Sequence, residues 1–150
     1  PNNIVKLREN LKDFEGRYKL NEYAIGDEEG DFTFACDETG RYGGLIRGGA
    51  ENFSRWPIDK TISVKVVTAN QALEEIIEQH DFLDILKIDV EGFEDKILRN
   101  LKSDILYCIS RIYAETKNRQ VIDGFSSERY GGLTRYFNIK SKGIKKLKDL

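Results

Sequence analysis

Asp89, Glu91, Glu94 and Asp95 crowd one short stretch of the chain, with Gly92 among them. Carboxylates gathered in this way can accept the proton of a substrate hydroxyl, hold a cationic group or bind a hard metal ion. A glycine beside them lets a backbone or a ligand come close. For Glu94 and Asp95 a plainer reading suffices. Acids in a first helical turn are favoured by the helix dipole, by ~0.3–1 kcal/mol each. Asp89 and Glu91 are therefore the catalytic candidates. Glu115 joins them as a possible substrate contact, because another apolar run ends on it.

These acids need elements to hold them. Leu83, Ile85, Leu86, Ile88 and Val90 form a nearly continuous apolar run. Such a run suits a strand buried on both faces, as in a parallel sheet covered by helices. Phe93, Ile97, Leu98 and Leu101 then recur at helical spacing. Asp89 thus falls where a strand gives way to a helix, at the edge where open α/β sheets bind ligands. Ile105 to Ala114 reads as a further strand, and Glu115 is level with Asp89 if the two strands are parallel neighbours. His80 is placed differently. A helix feeding a parallel strand delivers the chain to the strand's amino end, away from the ligand edge. That argues against His80 as a base.

The rest of the chain supplies the scaffold. Ile4, Leu7, Leu11 and Phe14 share one helical face, Asn2 or Asn3 can cap it, and Gly16 ends it. Tyr18 to Ile25 reads as a strand, residues 26–30 as a turn, and Asp31 to Cys36 as a second strand able to form a hairpin with the first. Residues 37–57 read as a long loop holding Arg41, Arg47, Arg55 and Trp56 among several glycines. It is either a plain excursion or a lid over the substrate. It matches no phosphate-binding loop. Ile62 to Val67 is a strand, and Asn70 can cap the helix whose inner stripe is Leu73, Ile76 and Ile77. Residues 116–131 read as polar loop, and Leu133 to Lys140 as a last strand before a lysine-rich tail.

Composition narrows the function classes. The length of 150 residues suits one domain with a real core. Charged residues make up 33% and the net charge is −2, so no strong field draws the chain to nucleic acid or to a membrane. No apolar run reaches ~18 residues, the approximate length of a membrane span. Cys36 and Cys108 lie in apolar runs and read as small buried hydrophobes. One histidine and no CxxC motif leave no recognisable zinc site. These features suit a cytoplasmic protein.

The run Leu86-Lys87-Ile88-Asp89-Val90-Glu91-Gly92-Phe93-Glu94, followed by Ile97-Leu98, resembles the signature of the FkbM-type methyltransferases. These are S-adenosylmethionine-dependent O-methyltransferases. Other stretches fit in the same order. Ala24-Ile25-Gly26-Asp27, followed by Gly30, resembles the turn after that family's third strand. Val67-Thr68 with Leu73 resembles the segment before its fourth. Glu115 resembles the acid ending its fifth, and Pro1-Asn2 the segment just after its second. Asn70 departs from the pattern, where Asp is common. The resemblance implies an α/β fold: a Rossmann-like class I methyltransferase sheet, mostly parallel, ordered 3-2-1-4-5-7-6.

It implies roles as well. S-adenosylmethionine is the cofactor, and Ile25, Gly26 and Asp27 border its adenine. Asp89, or else Glu91, takes the proton of the acceptor hydroxyl. Glu115, Arg55 and Trp56 face a small-molecule or saccharide acceptor. Against the family pattern, the glycine-rich cofactor turn and the ribose-binding acid are missing from this sequence. The expectation is a single partial domain truncated before the third strand, whose open sheet edges favour self-association. Two other functions stay open. One is a non-catalytic remnant or interaction module of the same fold. The other is a metal-dependent enzyme built on Asp89, Glu91 and Glu115.

Overall fold

The computed structural model describes residues 2–37, 43–46, 60–90, 92–116 and 119–140. The chain divides into two compact units, Pro1–Ala24 with Glu29–Val66, and Ile25–Glu28 with Val67–Leu150.

The first unit begins with α1 (Asn2–Leu11), which runs into a single 3₁₀ turn at Lys12–Phe14. The apolar face expected of this helix stays largely open, with Leu7 38% and Phe14 48% exposed. The strands that follow are β1 (Ala24–Gly26), β2 (Gly30–Cys36), β3 (Gly43–Leu45) and β4 (Lys60–Thr68), in the sheet order β1-β4-β2-β3. The last residues of β1 and β4 belong to the second unit. Two expectations change here. The strand foreseen from Tyr18 is confined to Ala24–Gly26, and β2 does not form a hairpin with it. Instead β2 pairs antiparallel with β4, setting Phe32 opposite Val64 and Phe34 opposite Ile62. These cross-strand apolar pairs outweigh the short connection to β1. Gly43–Leu45, inside the stretch read as loop, adds a short strand against Phe34–Cys36.

The second unit carries the candidate acids. It contains α2 (Ala69–His80), β5 (Leu83–Ile88), α3 (Glu94–Asn100), α4 (Ser103–Tyr107), β6 (Ile109–Glu115), β7 (Phe125–Tyr130) and β8 (Leu133–Asn138). Its sheet is ordered β5-β6-β8-β7. β5 and β6 are parallel, while β8 runs antiparallel to both β6 and β7. With β2 antiparallel to its neighbours β3 and β4, the architecture is mixed α/β rather than mostly parallel.

One core explains these elements. Leu73 from α2, Ile97 and Leu98 from α3, and Ile105 from α4 pack with Ile88, Ile109, Ile112, Ala114 and Tyr136 from the strands. On β6 and β8 the buried residues alternate with more open ones, the period-2 pattern of a sheet with one face in the core. On the other face Arg135 lies 5.7, 5.5 and 5.1 Å from the rings of Tyr113, Tyr130 and Phe137. A guanidinium among three rings combines cation–π attraction with apolar contact.

β5 departs from the sequence reading. Ile88 is buried, but Ile85 is 50% exposed. The physical reason is position. Among the described residues β5 is an edge strand, and Ile85 does not join the packed core. The start of the next strand also shifts. Ser103–Tyr107 is a helical turn rather than strand, with Asp104 Oδ1 accepting from Ile105 N at 2.9 Å. Short apolar runs do not distinguish the two states by periodicity. Finally, β7 occupies part of the expected 116–131 loop. It forms a hairpin with β8 through Gly131-Gly132, where Gly131 has φ +60°. That Gly-Gly pair is the hairpin signal the sequence carried.

Candidate functional site

The carboxyl ends of β5 and β6 bring the acids together. Ile88 pairs with Ala114 in parallel register. The next residue of each strand is Asp89 or Glu115, so the two acids stand level at one sheet edge. Both are exposed. Lys87 Nζ donates to Asp89 Oδ2 at 2.6 Å, with the two side chains 64% and 43% exposed. The Asp89 hydrogen bond and charge, with a smaller contribution from Glu115, raise the Lys87 ammonium above its ordinary 10.5. Lys87 and Asp89 thus hold each other at the strand end, and the Asp89 carboxylate stays partly open to solvent.

Beyond Asp89 the chain turns sharply into α3. Gly92 has φ +103°, a region that L side chains rarely adopt. Glu94, at the start of α3, is buried at 4% exposure. Its carboxylate accepts from Val90 N at 2.9 Å and from Gly92 N at 2.9 Å. The sequence reading gave Glu94 only a helix-dipole role. The signal for more was the glutamate's place two residues after a glycine that lies between a strand and a helix, within reach of orphan N–H groups there.

The proposed cofactor residues divide. Gly26 and Asp27 line a small pocket with Thr68, Asn70, Phe93 and Lys96, its volume about 60 Å³. Lys96 Nζ pairs with Asp27 Oδ2 at its rim. Ile25 packs against the hydrophobic core instead. Such a cavity is far smaller than the roughly 300–1,000 Å³ of a pocket that encloses a small-molecule ligand. At this size the pocket does not by itself enclose a small molecule. Asp89 does not line this pocket.

Asn70 does other work than the sequence suggested. The cap of α2 is Thr68, whose Oγ1 accepts from Gln71 N while the Gln71 side chain accepts from Thr68 N, a reciprocal capping box. Asn70 Nδ2 donates to Asn100 O at 2.9 Å, and its Oδ1 accepts from Lys102 N at 3.1 Å. It ties the start of α2 to the end of α3. His80 ends α2 beside Leu83 and Asp84, at the amino end of β5. Glu91, Arg55 and Trp56 lie outside the described residues, as do Arg41 and Arg47. Among the described residues no three His, Cys, Asp or Glu side chains gather as a metal site. None of the described helices is long and apolar enough to cross a membrane.

Fold and site together define a mixed α/β protein with acids at the carboxyl edge of a parallel strand pair. Residues 1–129 match the model of the methyltransferase FkbM domain, and the chain belongs to that family. No curated protein and no solved structure matches it.

Proposed function

We propose that this chain serves an S-adenosylmethionine-dependent O-methyltransferase acting on a hydroxyl of a small molecule or saccharide. What carries the reading, beside the family match, is the Ile88–Ala114 register, which puts Asp89 and Glu115 side by side at the ligand edge of the sheet. The order β5-β6-β8-β7, with β8 antiparallel, agrees with the 4-5-7-6 half of a Rossmann-like methyltransferase sheet. Two unbridged cysteines suit a cytoplasmic home.

The donor supplies an electrophilic methyl group on a sulfonium. With the donor bound, Asp89 would take the proton of the acceptor hydroxyl as that oxygen accepts the methyl group. Glu115, level with it, hydrogen-bonds a neighbouring hydroxyl and orients the acceptor. Lys87 steadies the Asp89 carboxylate between turnovers. Gly26 and Asp27 would hold the adenine, with Lys96 moving off Asp27 or sharing it. Alignment of nucleophile, carbon and sulfur is the protein's larger task.

The test is methyl transfer by the full-length protein from S-adenosylmethionine to a panel of hydroxylated acceptors. A positioned general base contributes about 10²–10⁴-fold. Asp89→Asn is therefore expected to lower kcat by about 10²-fold or more. A variant with wild-type kcat removes Asp89 as the base.

A further inference from the structure

We infer that Glu94 is a positioning residue, whose buried carboxylate sets the shape of the turn between β5 and α3 and so fixes where Asp89 stands. This rests on the reading of Asp89 as the group that meets the acceptor. The geometry is specific. Both carboxylate oxygens are used, Oε1 on Val90 N and Oε2 on Gly92 N, each at 2.9 Å. Of the two donors, Gly92 departs from ordinary backbone, with φ +103°.

A helix start needs no such arrangement. An exposed glutamate would serve the dipole of α3 equally well and stay hydrated. Glu94 is only 4% exposed, and burying a carboxylate is costly unless fixed donors replace its water. Here the replacement donors belong to the turn itself. The charge is therefore satisfied only while Val90 N and Gly92 N both point at it. Asp89 is on the surface, so its own packing cannot supply that constraint. A misplacement of about 1 Å at a reacting group costs about 10²-fold in rate, which is the consequence a clamp of this kind prevents.

Glu94→Gln is nearly isosteric and keeps one carbonyl oxygen, but it turns an amide N–H₂ toward one of the two backbone N–H groups. Amide hydrogen exchange, read by NMR on the full chain, tests the clamp without any substrate. Protection at Val90 and Gly92 is expected to fall about tenfold or more, as loss of a charge-assisted bond implies. Protection at Leu73 and Ile112 in the core is expected to hold. Unchanged protection at Val90 and Gly92 overturns the clamp. Loss of protection throughout the unit also overturns it, because Glu94 would then hold up the fold rather than the turn.

The purpose of the clamp is tested by a mutant cycle with methyl transfer as readout. Glu94→Gln alone is expected to lower kcat about tenfold or more, and to add little on an Asp89→Asn background, as coupled residues do. Full additivity refutes action through Asp89. If the wild-type full-length protein transfers no methyl group, the proposed function and the purpose assigned to Glu94 both fall, while the exchange experiment still decides the clamp.

Discussion

Replacing Asn138 with Ala should destabilise the second unit by about 2–5 kcal/mol, although the residue lies far along the chain from the acids. Asn138 is 2% exposed at the end of β8. Its Nδ2 donates to Leu106 O and Ile109 O, each at 2.8 Å, and its Oδ1 accepts from Lys140 N at 2.8 Å. The cost follows bond by bond. Ile109 is fully buried, so its carbonyl loses a partner that water cannot replace, worth ~1–3 kcal/mol. Leu106 O also accepts from Cys108 N, and Lys140 is exposed, so these two contribute about 0.5–1 kcal/mol each. Asn138→Asp is the sharper control. It keeps the shape and the bond from Lys140 N, but it turns an oxygen toward two carbonyl oxygens and buries a charge. It should cost at least as much as Ala. Urea unfolding followed by circular dichroism reads both, with the midpoint falling and the slope unchanged. An Ala variant within about 0.5 kcal/mol of wild type, or an Asp variant more stable than Ala, would refute the bond-by-bond reasoning. The result bears on function, because these bonds pin the junction of α4 and β6. That junction sets where β6 begins and hence which acid stands beside Asp89.

Gly92→Ala should cost about 1–2 kcal/mol through backbone strain alone, since a Cβ there meets nothing within 4 Å while φ is +103°. Urea melts measure it, and a neutral result would mean the turn relaxes freely. For the Lys87–Asp89 pair the sign is set by the raised lysine. The pair's contribution to stability is full below the ordinary 10.5 and is lost as pH rises through the folded value. Asp89→Asn should therefore bring the Lys87 titration, followed by NMR at its ε-methylene, down toward 10.5; no movement would show the pair is not formed in solution.

The place of Asp89 in the fold was readable from the amino-acid order. The apolar run from Leu83 with an acid past its end placed Asp89 at the carboxyl end of a strand, because a buried strand must surface before polar groups can follow. The resemblance carried by residues 86–94 led to the family that the match over residues 1–129 establishes. The stripe of Leu73, Ile76 and Ile77 likewise marked the inner face of α2. Where the sequence misled, two local choices had similar energies. Ile105 and Leu106 suit helix or strand, and the Asp104 side chain bonded to Ile105 N accompanies the helical choice. Asn70 and Thr68 are both good caps, and Gln71 selected Thr68 by closing the capping box.

What the amino-acid order settled by itself was the kind of element along α1, β2, β4, α2, β5, α3 and β8 and the gathering of acids at one junction, since periodicity and turn chemistry act over a few residues. Pairing was decided only in three dimensions. The partner of β2, the edge position of β5, the level standing of Asp89 and Glu115, and the burial of Glu94 all depend on contacts between segments distant in the chain. Their free energies come from apolar area and hydrogen bonds shared by two elements, and neither element's own sequence contains that sum.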